Sequence, residues 1–263
     1  MTSVIAWLAV DSRQPTALYF ASDSRKTYVD GHIEDNCIKL YVPRDSVEIF
    51  AFSGDVSFAG ASLDKLCRAI EANQIPPNMQ TSPYGRVDWI SQFLRSELIS
   101  ANVKPKYTTT ILHGSRHDWG PKVHFTLHAF IVLEGDDRLE VRELSADLSR
   151  SSTIEINGSG KPHVQSAVNE SVKAAGDYSR AYFAGFCESV MSGNDPFSGG
   201  PVQLVGVGCK SRAQHFGVVL PHGAFFQGSA KNEPKEEVKW RNHMFQVVTH
   251  TGALLKGAQR HAW

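Results

Sequence analysis

Extended and helical stretches come in blocks along this chain, and their order constrains the fold more than any single motif. The first fifty residues carry four extended stretches. They run from Val4 to Val10, from Ala17 to Ala21 after a D-S-R-Q-P turn, from about Cys37 to Val42, and from Val47 to Phe52. The turn Ser53-Gly54-Asp55 leads into a helical pattern in which Phe58, Leu63, Leu66 and Ile70 fall near helical spacing, with Asp55 placed as the cap. A second helical face, Val87, Ile90, Phe93, Leu94 and Leu98, covers about Arg86 to Ile99, and IPPNMQTSPYG between the two reads as a loop. Strands follow again from Tyr107 to Leu112, His124 to Leu133, Leu139 to Leu144 and Ser152 to Asn157. After Gly158-Ser159-Gly160 a helical region begins near Pro162 and runs past Gly176 to Met191, ended by the loop S-G-N-D-P-F-S-G-G-P. The last strands are Val202 to Gly206, Phe216 to Leu220 and Ala224 to Gln227. Strand blocks separated by helical blocks predict an α+β fold of stacked sheets with helices on their outer faces, not alternating βαβ units. No repeat, low-complexity run or linker interrupts the chain, so a single domain over residues 1–263 is expected, with 231–263 an unassigned C-terminal extension.

Composition removes whole classes of function. The 27 basic and 27 acidic side chains cancel, so the electrostatic footprint of a nucleic-acid binder is missing. No apolar run approaches the roughly 20 residues of a membrane span. The opening MTSVIAWLAVDS has no basic region followed by a cleavage site, so no signal peptide is expected. Cys37, Cys67, Cys187 and Cys209 stand far apart without C-x-x-C spacing, which disfavours a disulfide scaffold or zinc cluster and points to a cytoplasmic protein. His243, His250 and His261 are too widely spaced for a metal site. The G-V-G-C run at 206–209 lacks a P-loop Lys, and no G-x-G-x-x-G follows a strand. Neither a metal nor another cofactor is expected.

Thr2 is where chemistry enters. Removal of Met1 would leave threonine as the first residue, and an N-terminal threonine brings its own base. Its hydroxyl is a poor nucleophile alone, but an α-amine titrating at about 7.7 to 8.0 sits beside it. Five further patterns follow Thr2 in order. Asp23 ends the second strand in Ala21-Ser22-Asp23-Ser24-Arg25, and Lys39, in Asn36-Cys37-Ile38-Lys39-Leu40, comes sixteen residues later. Ser53-Gly54-Asp55 turns from a strand into the first helix. Gly158-Ser159-Gly160 precedes the long helical region, and Asp195-Pro196-Phe197-Ser198-Gly199 follows it. Asp23 and Lys39 also fit a structural ion pair, and the Ser, Asp and Gly positions also fit plain turn chemistry.

In this order and setting the residues resemble the proteasome β-subunit-like family of N-terminal-nucleophile (Ntn) hydrolases over roughly residues 2 to 210. The A-S-D-S-R wording is similar to the bacterial ancestral β-subunit branch. The resemblance implies a four-layer αββα sandwich and a threonine-type peptidase that assembles into a ring or spiral homo-oligomer. Thr2 would be the nucleophile. Lys39 would lower the proton affinity of its amine and hydroxyl, Asp23 would hold that lysine, and the Gly54 N–H would receive the oxyanion. Ser159, Asp195 and Ser198 would support the Thr2 amine, while Thr27, Cys37, Phe52 and Val56 would line the substrate pocket. Peptide or unfolded protein is the implied substrate, and an ATP-driven unfoldase is an implied partner. Two features depart from the family: the stretch from Thr2 to Asp23 is about five residues longer, placing a longer turn around Ser12 to Pro15, and exposure of Thr2 depends on Met1 removal instead of self-cleavage. Two alternatives stay open, a catalytically silent assembly subunit of the same fold and a non-peptide amidase.

Overall fold

The computed structural model describes residues 2–11, 14–28, 30–80, 82–101, 104–118, 123–231 and 238–258. Met1, Ser12 and Arg13 of the first turn, and His261 lie outside the described residues. The chain begins with β1 (Ser3–Val10), β2 (Pro15–Ser22), the short β3 (Lys26–Thr27) and β4 (Ile33–Glu34), β5 (Leu40–Tyr41) and β6 (Glu48–Ser53). Helices α1 (Val56–Glu71), α2 (Pro77–Gln80) and α3 (Pro83–Ala101) follow, then β7 (Thr109–His117), β8 (His124–Val132), β9 (Leu139–Leu144) and β10 (Ser152–Gly158). After α4 (Lys161–Ala175) and α5 (Ser179–Ser192) come β11 (Gln203–Gly208), β12 (Gln214–Leu220), β13 (Gly223–Phe226), β14 (Ser229–Ala230), β15 (Lys239–Asn242) and β16 (Val247–Val248).

The strands form a nine-stranded sheet ordered β10-β1-β2-β11-β12-β13-β14, a five-stranded sheet ordered β5-β6-β7-β8-β9, and the small β3-β4 ribbon. In the large sheet β15 pairs in parallel with β12, and β16 pairs with β15. The other strand pairs are antiparallel, so the chain is a mixed α+β protein.

Strand alternation sorts the apolar side chains into three clusters. Val4, Ala6, Leu8, Leu18 and Phe20 of the large sheet pack with Ile49, Ala51, Leu112 and Leu127 of the other. The opposite face of the large sheet, with Ile5, Trp7 and Leu204, meets Val164, Val168, Phe183 and Phe186 of α4 and α5. The opposite face of the five-stranded sheet, with Phe50, Phe52, Ile111 and Phe130, meets Leu63, Leu66, Ile90 and Leu94 of α1 and α3. Each Val, Leu, Ile or Phe among them contributes about 1.5–3 kcal/mol on burial. Asp55 caps α1: its carboxylate accepts from Ser57 N at 2.9 Å and Phe58 N at 3.2 Å.

The helical region after residue 160 is two helices. Gly176, at φ +82°, ends α4, and the extended Tyr178 starts α5. The segment beyond residue 231 joins the large sheet through β15. A Cβ on Gly217 would run into the Trp240 indole, so that glycine permits the approach of β15 to β12. Phe245 then stacks edge-on against Tyr19 at 5.1 Å and Phe183 at 5.5 Å. Among the described residues no helix is long and apolar enough to cross a membrane.

Candidate active site

The β1–β2 hairpin places Thr2 and Asp23 at the same end of the large sheet. Val4 pairs with Ser22, and Asp23 N donates to Ser3 O at 3.2 Å. On the other side Ser3 pairs with Gly158 of β10. A Cβ on Gly158, at φ +99°, would overlap the Thr2 carbonyl, so only glycine fits against the start of β1. Thr2 is fully buried, and its Oγ1 has no hydrogen-bond partner among the described residues.

Asp23 and Lys39 form a fully buried ion pair, Nζ to Oδ1 at 2.8 Å. The same Oδ1 accepts from Ser3 N at 3.0 Å, so one carboxylate oxygen links the lysine to the residue after Thr2. Oδ2 accepts from Arg25 N and Gly199 N, each at 3.0 Å. Four donors therefore saturate the carboxylate, which is what keeps a buried charge tolerable.

Gly54, at the end of β6, has φ +108°, and a Cβ there would strike the Thr108 carbonyl and Thr109. The neighbouring Ser53 Oγ donates to Asn157 Oδ1 at 3.1 Å, and the same oxygen accepts from Gly158 N at 2.7 Å. Asn157 thereby joins the Gly54 turn to the Gly158 turn that lies against Thr2.

Ser159, Asp195 and Ser198 are bonded to one another. Asp195 Oδ2 accepts from Ser159 Oγ at 2.8 Å and Ser198 Oγ at 2.7 Å, and Oδ1 accepts from Phe197 N at 3.1 Å. Burial pushes the Asp195 carboxyl up, but the bonds from Ser198, Phe197 N and Ser159 hold it below its ordinary value. The group reaches β1 through Ser3, whose Oγ lies 2.7 Å from Ser198 Oγ. Arg25 fastens the loop from outside, with a two-pronged contact to Asp35 at 2.8 Å on each arm and a bond to Pro196 O at 3.1 Å.

The four residues expected around the substrate side chain lie in two settings. Thr27 on β3 and Cys37 are half-buried near the end of β2, where Cys37 N donates to Ser24 O at 2.9 Å. Burial pushes the Cys37 thiol up. Phe52 and Val56 pack in the apolar cluster beneath α1 and α3. Sequence reasoning did not name Ser3, Asn157 or Gln203 as site residues. Gln203, a lone amide in the apolar run V-Q-L-V-G-V-G, carried a readable signal. Among the described residues no group of three His, Cys, Asp or Glu side chains gathers as a metal site.

No family model matches the chain, and no curated protein matches it. Its structure is similar to Anbu (ancestral beta-subunit) from Yersinia bercovieri, with a TM-score of 0.55 and 14% identity over 82% of this chain and 87% of that one. It is also similar to the Anbu (Gly-1) mutant from Hyphomicrobium sp. strain MC1, with a TM-score of 0.51 and 16% identity over the same shares. The resemblance to the proteasome β-subunit-like family, ancestral branch included, is therefore corrected as a family assignment. No family model supports it, and structural likeness at 14–16% identity shows a related fold alone.

Proposed function

We propose that the chain is an N-terminal threonine hydrolase of amide bonds, acting on peptides. The observation that carries this reading is the saturated Asp23 carboxylate. It bonds Lys39 Nζ and Ser3 N through one oxygen, one residue along the chain from Thr2, whose buried hydroxyl has no partner among the described residues. With Thr2 as first residue, its Oγ attacks the substrate carbonyl carbon while the Oγ proton passes to the Thr2 amine. The Lys39 ammonium lowers the proton affinity of amine and hydroxyl. The Gly54 N–H donates to the oxyanion. The amine then returns the proton to the leaving nitrogen, the C–N bond breaks, and an ester to Thr2 remains. Water, deprotonated by the same amine, hydrolyses that ester and regenerates the hydroxyl. Ser159, Asp195 and Ser198, tied to β1 through Ser3, orient the amine. Thr27 and Cys37 flank the entering side chain, with Phe52 and Val56 forming the apolar wall behind.

The same reading takes the three apolar clusters as the interior of a four-layer αββα sandwich. It places the protein in the cytoplasm as a homo-oligomer, with exposed apolar side chains such as Tyr84 and Ile99 of α3 available for contacts between copies. An ATP-driven unfoldase would feed it unfolded chains. The test is turnover of a fluorogenic peptide panel by the wild type and by Thr2→Ala and Lys39→Ala. Both variants are expected to lose at least about a thousandfold in kcat. Turnover surviving in either overturns the assignment, and a wild type that cleaves small amides but no peptide makes it a non-peptide amidase.

A further inference from the structure

Gln203, the first residue of β11, is 2% exposed, and both ends of its amide are engaged. Oε1 accepts from Lys39 N at 3.2 Å. Nε2 faces Asp23 O at 3.1 Å, Ser24 Oγ at 2.9 Å and Cys37 O at 2.9 Å. A backbone N–H can only donate and a carbonyl can only accept, so the orientation of this amide has one solution. Its partners belong to two separate stretches. One is the end of β2, which carries Asp23. The other is the segment 37–39, which lies in neither sheet and delivers Lys39 just ahead of β5.

Lys39 needs such a fixture. Its side chain is long and flexible, and holding Nζ on Asp23 fixes the head only if the backbone behind it is also fixed. We propose that Gln203 is the positioning residue for Lys39. It ties the main chain of residues 37–39 to the end of β2, and so sets where the ammonium stands relative to Thr2. The inference deepens the threonine-hydrolase reading and rests on it. Gln203 touches no reacting atom. If its role were packing alone, removing the amide would change stability without separating kcat from KM.

The experiment uses Gln203→Met, which keeps volume and removes the amide, and Gln203→Asn, which keeps the amide but ends about 1.5 Å short of its partners. Both are measured for kcat and KM on the best fluorogenic peptide, and for the rate at which a peptide epoxyketone adds to Thr2 in the folded fraction. Gln203→Met is expected to lose at least about tenfold in kcat with KM within about twofold, with a parallel fall in the rate of addition. Gln203→Asn is expected to fall in between, and it carries the test should Gln203→Met not fold. A folded variant with wild-type kcat and wild-type addition rate, or one altered in KM alone, overturns the inference. An active wild type matched by its variants removes this inference only, whereas a wild type inert to both probes removes the threonine reading and this inference with it.

Discussion

Among the described residues two carboxylates are completely buried, Asp23 and Glu48, and they are held in different ways. Asp23 takes four donors at 2.8–3.0 Å, three of them backbone N–H groups whose positions the fold dictates. Glu48, at the opposite end of β6 from Gly54, is compensated by side chains at longer range. Its Oε1 faces Arg86 Nη1 at 3.2 Å and His113 Nε2 at 3.4 Å, and Oε2 meets Ser46 Oγ at 3.4 Å. Burial pushes the Glu48 carboxyl up, and the His113 and Arg86 side chains more than offset this, so it lies below its ordinary value. Neither His113 ring nitrogen finds a hydrogen bond among the described residues. Arg86 carries this second pair to the edge of a cleft of about 460 Å³, also lined by Arg44, Ser46, Asn73 and Gln80. Charge neutralisation is common to both places. Only the first has main-chain donors converging on one carboxylate, one of them from the residue after Thr2, and rigid convergence of that kind is what preorganised chemistry needs.

The contrast breaks most sharply at Asp23. In Asp23→Asn the amide would turn N–H groups toward backbone N–H groups that cannot accept, with Lys39 left buried and uncompensated. A loss of about 3–5 kcal/mol in denaturant unfolding is expected, together with loss of peptide turnover. Glu48→Gln is the matched control. It leaves Arg86 near solvent, so the expected loss is only about 1–2 kcal/mol, with kcat and KM within about twofold of wild type. Equal damage to turnover from both substitutions would erase the distinction. The smallest effect concerns the histidines around Glu48. Burial and the neighbouring His124 push the half-buried His117 down to about 4. Because its folded value is depressed, its contribution to stability is present above the unfolded value of about 6.5 and is lost progressively as pH falls toward 4. Thermal unfolding at pH 7 and pH 5 should show a fall on the order of 1 kcal/mol that His117→Gln reduces.

Much of the fold was legible because its signals are local. The strand at Leu139–Leu144 has the predicted bounds, and Asp55 makes the capping bonds its position implied. Misreadings arose where distant contacts override pattern. The stretch from Cys37 to Val42 looks extended, yet only Leu40–Tyr41 is in a strand, because the Gln203 side chain and one bond to Ser24 hold the preceding residues in place of a ladder. Strand β7 continues to His117, past the predicted end at Leu112, since His113, Ser115 and Arg116 are buried polar residues that hydropathy counts as surface. The tail showed no pattern because β15 enters the sheet through a parallel pairing set by Trp240 on Gly217, a contact between residues far apart in sequence. The candidate site divides in the same way. Asp23, Lys39, Ser159, Asp195 and Ser198 stand in recognisable short motifs, and the structure gathers them into two bonded groups. Ser3, Asn157 and Gln203 make their contacts at the site across 195, 104 and 164 residues of chain, which no spacing rule reports.

The central claim is that Thr2 is the nucleophile. Its most direct test is the intact mass of the purified protein before and after a peptide electrophile selective for N-terminal threonine. The account predicts a mature chain that begins at Thr2 and gains one adduct, with no adduct on Thr2→Ala. A chain that begins at Thr2 and stays unmodified, or one modified equally in Thr2→Ala, would contradict it.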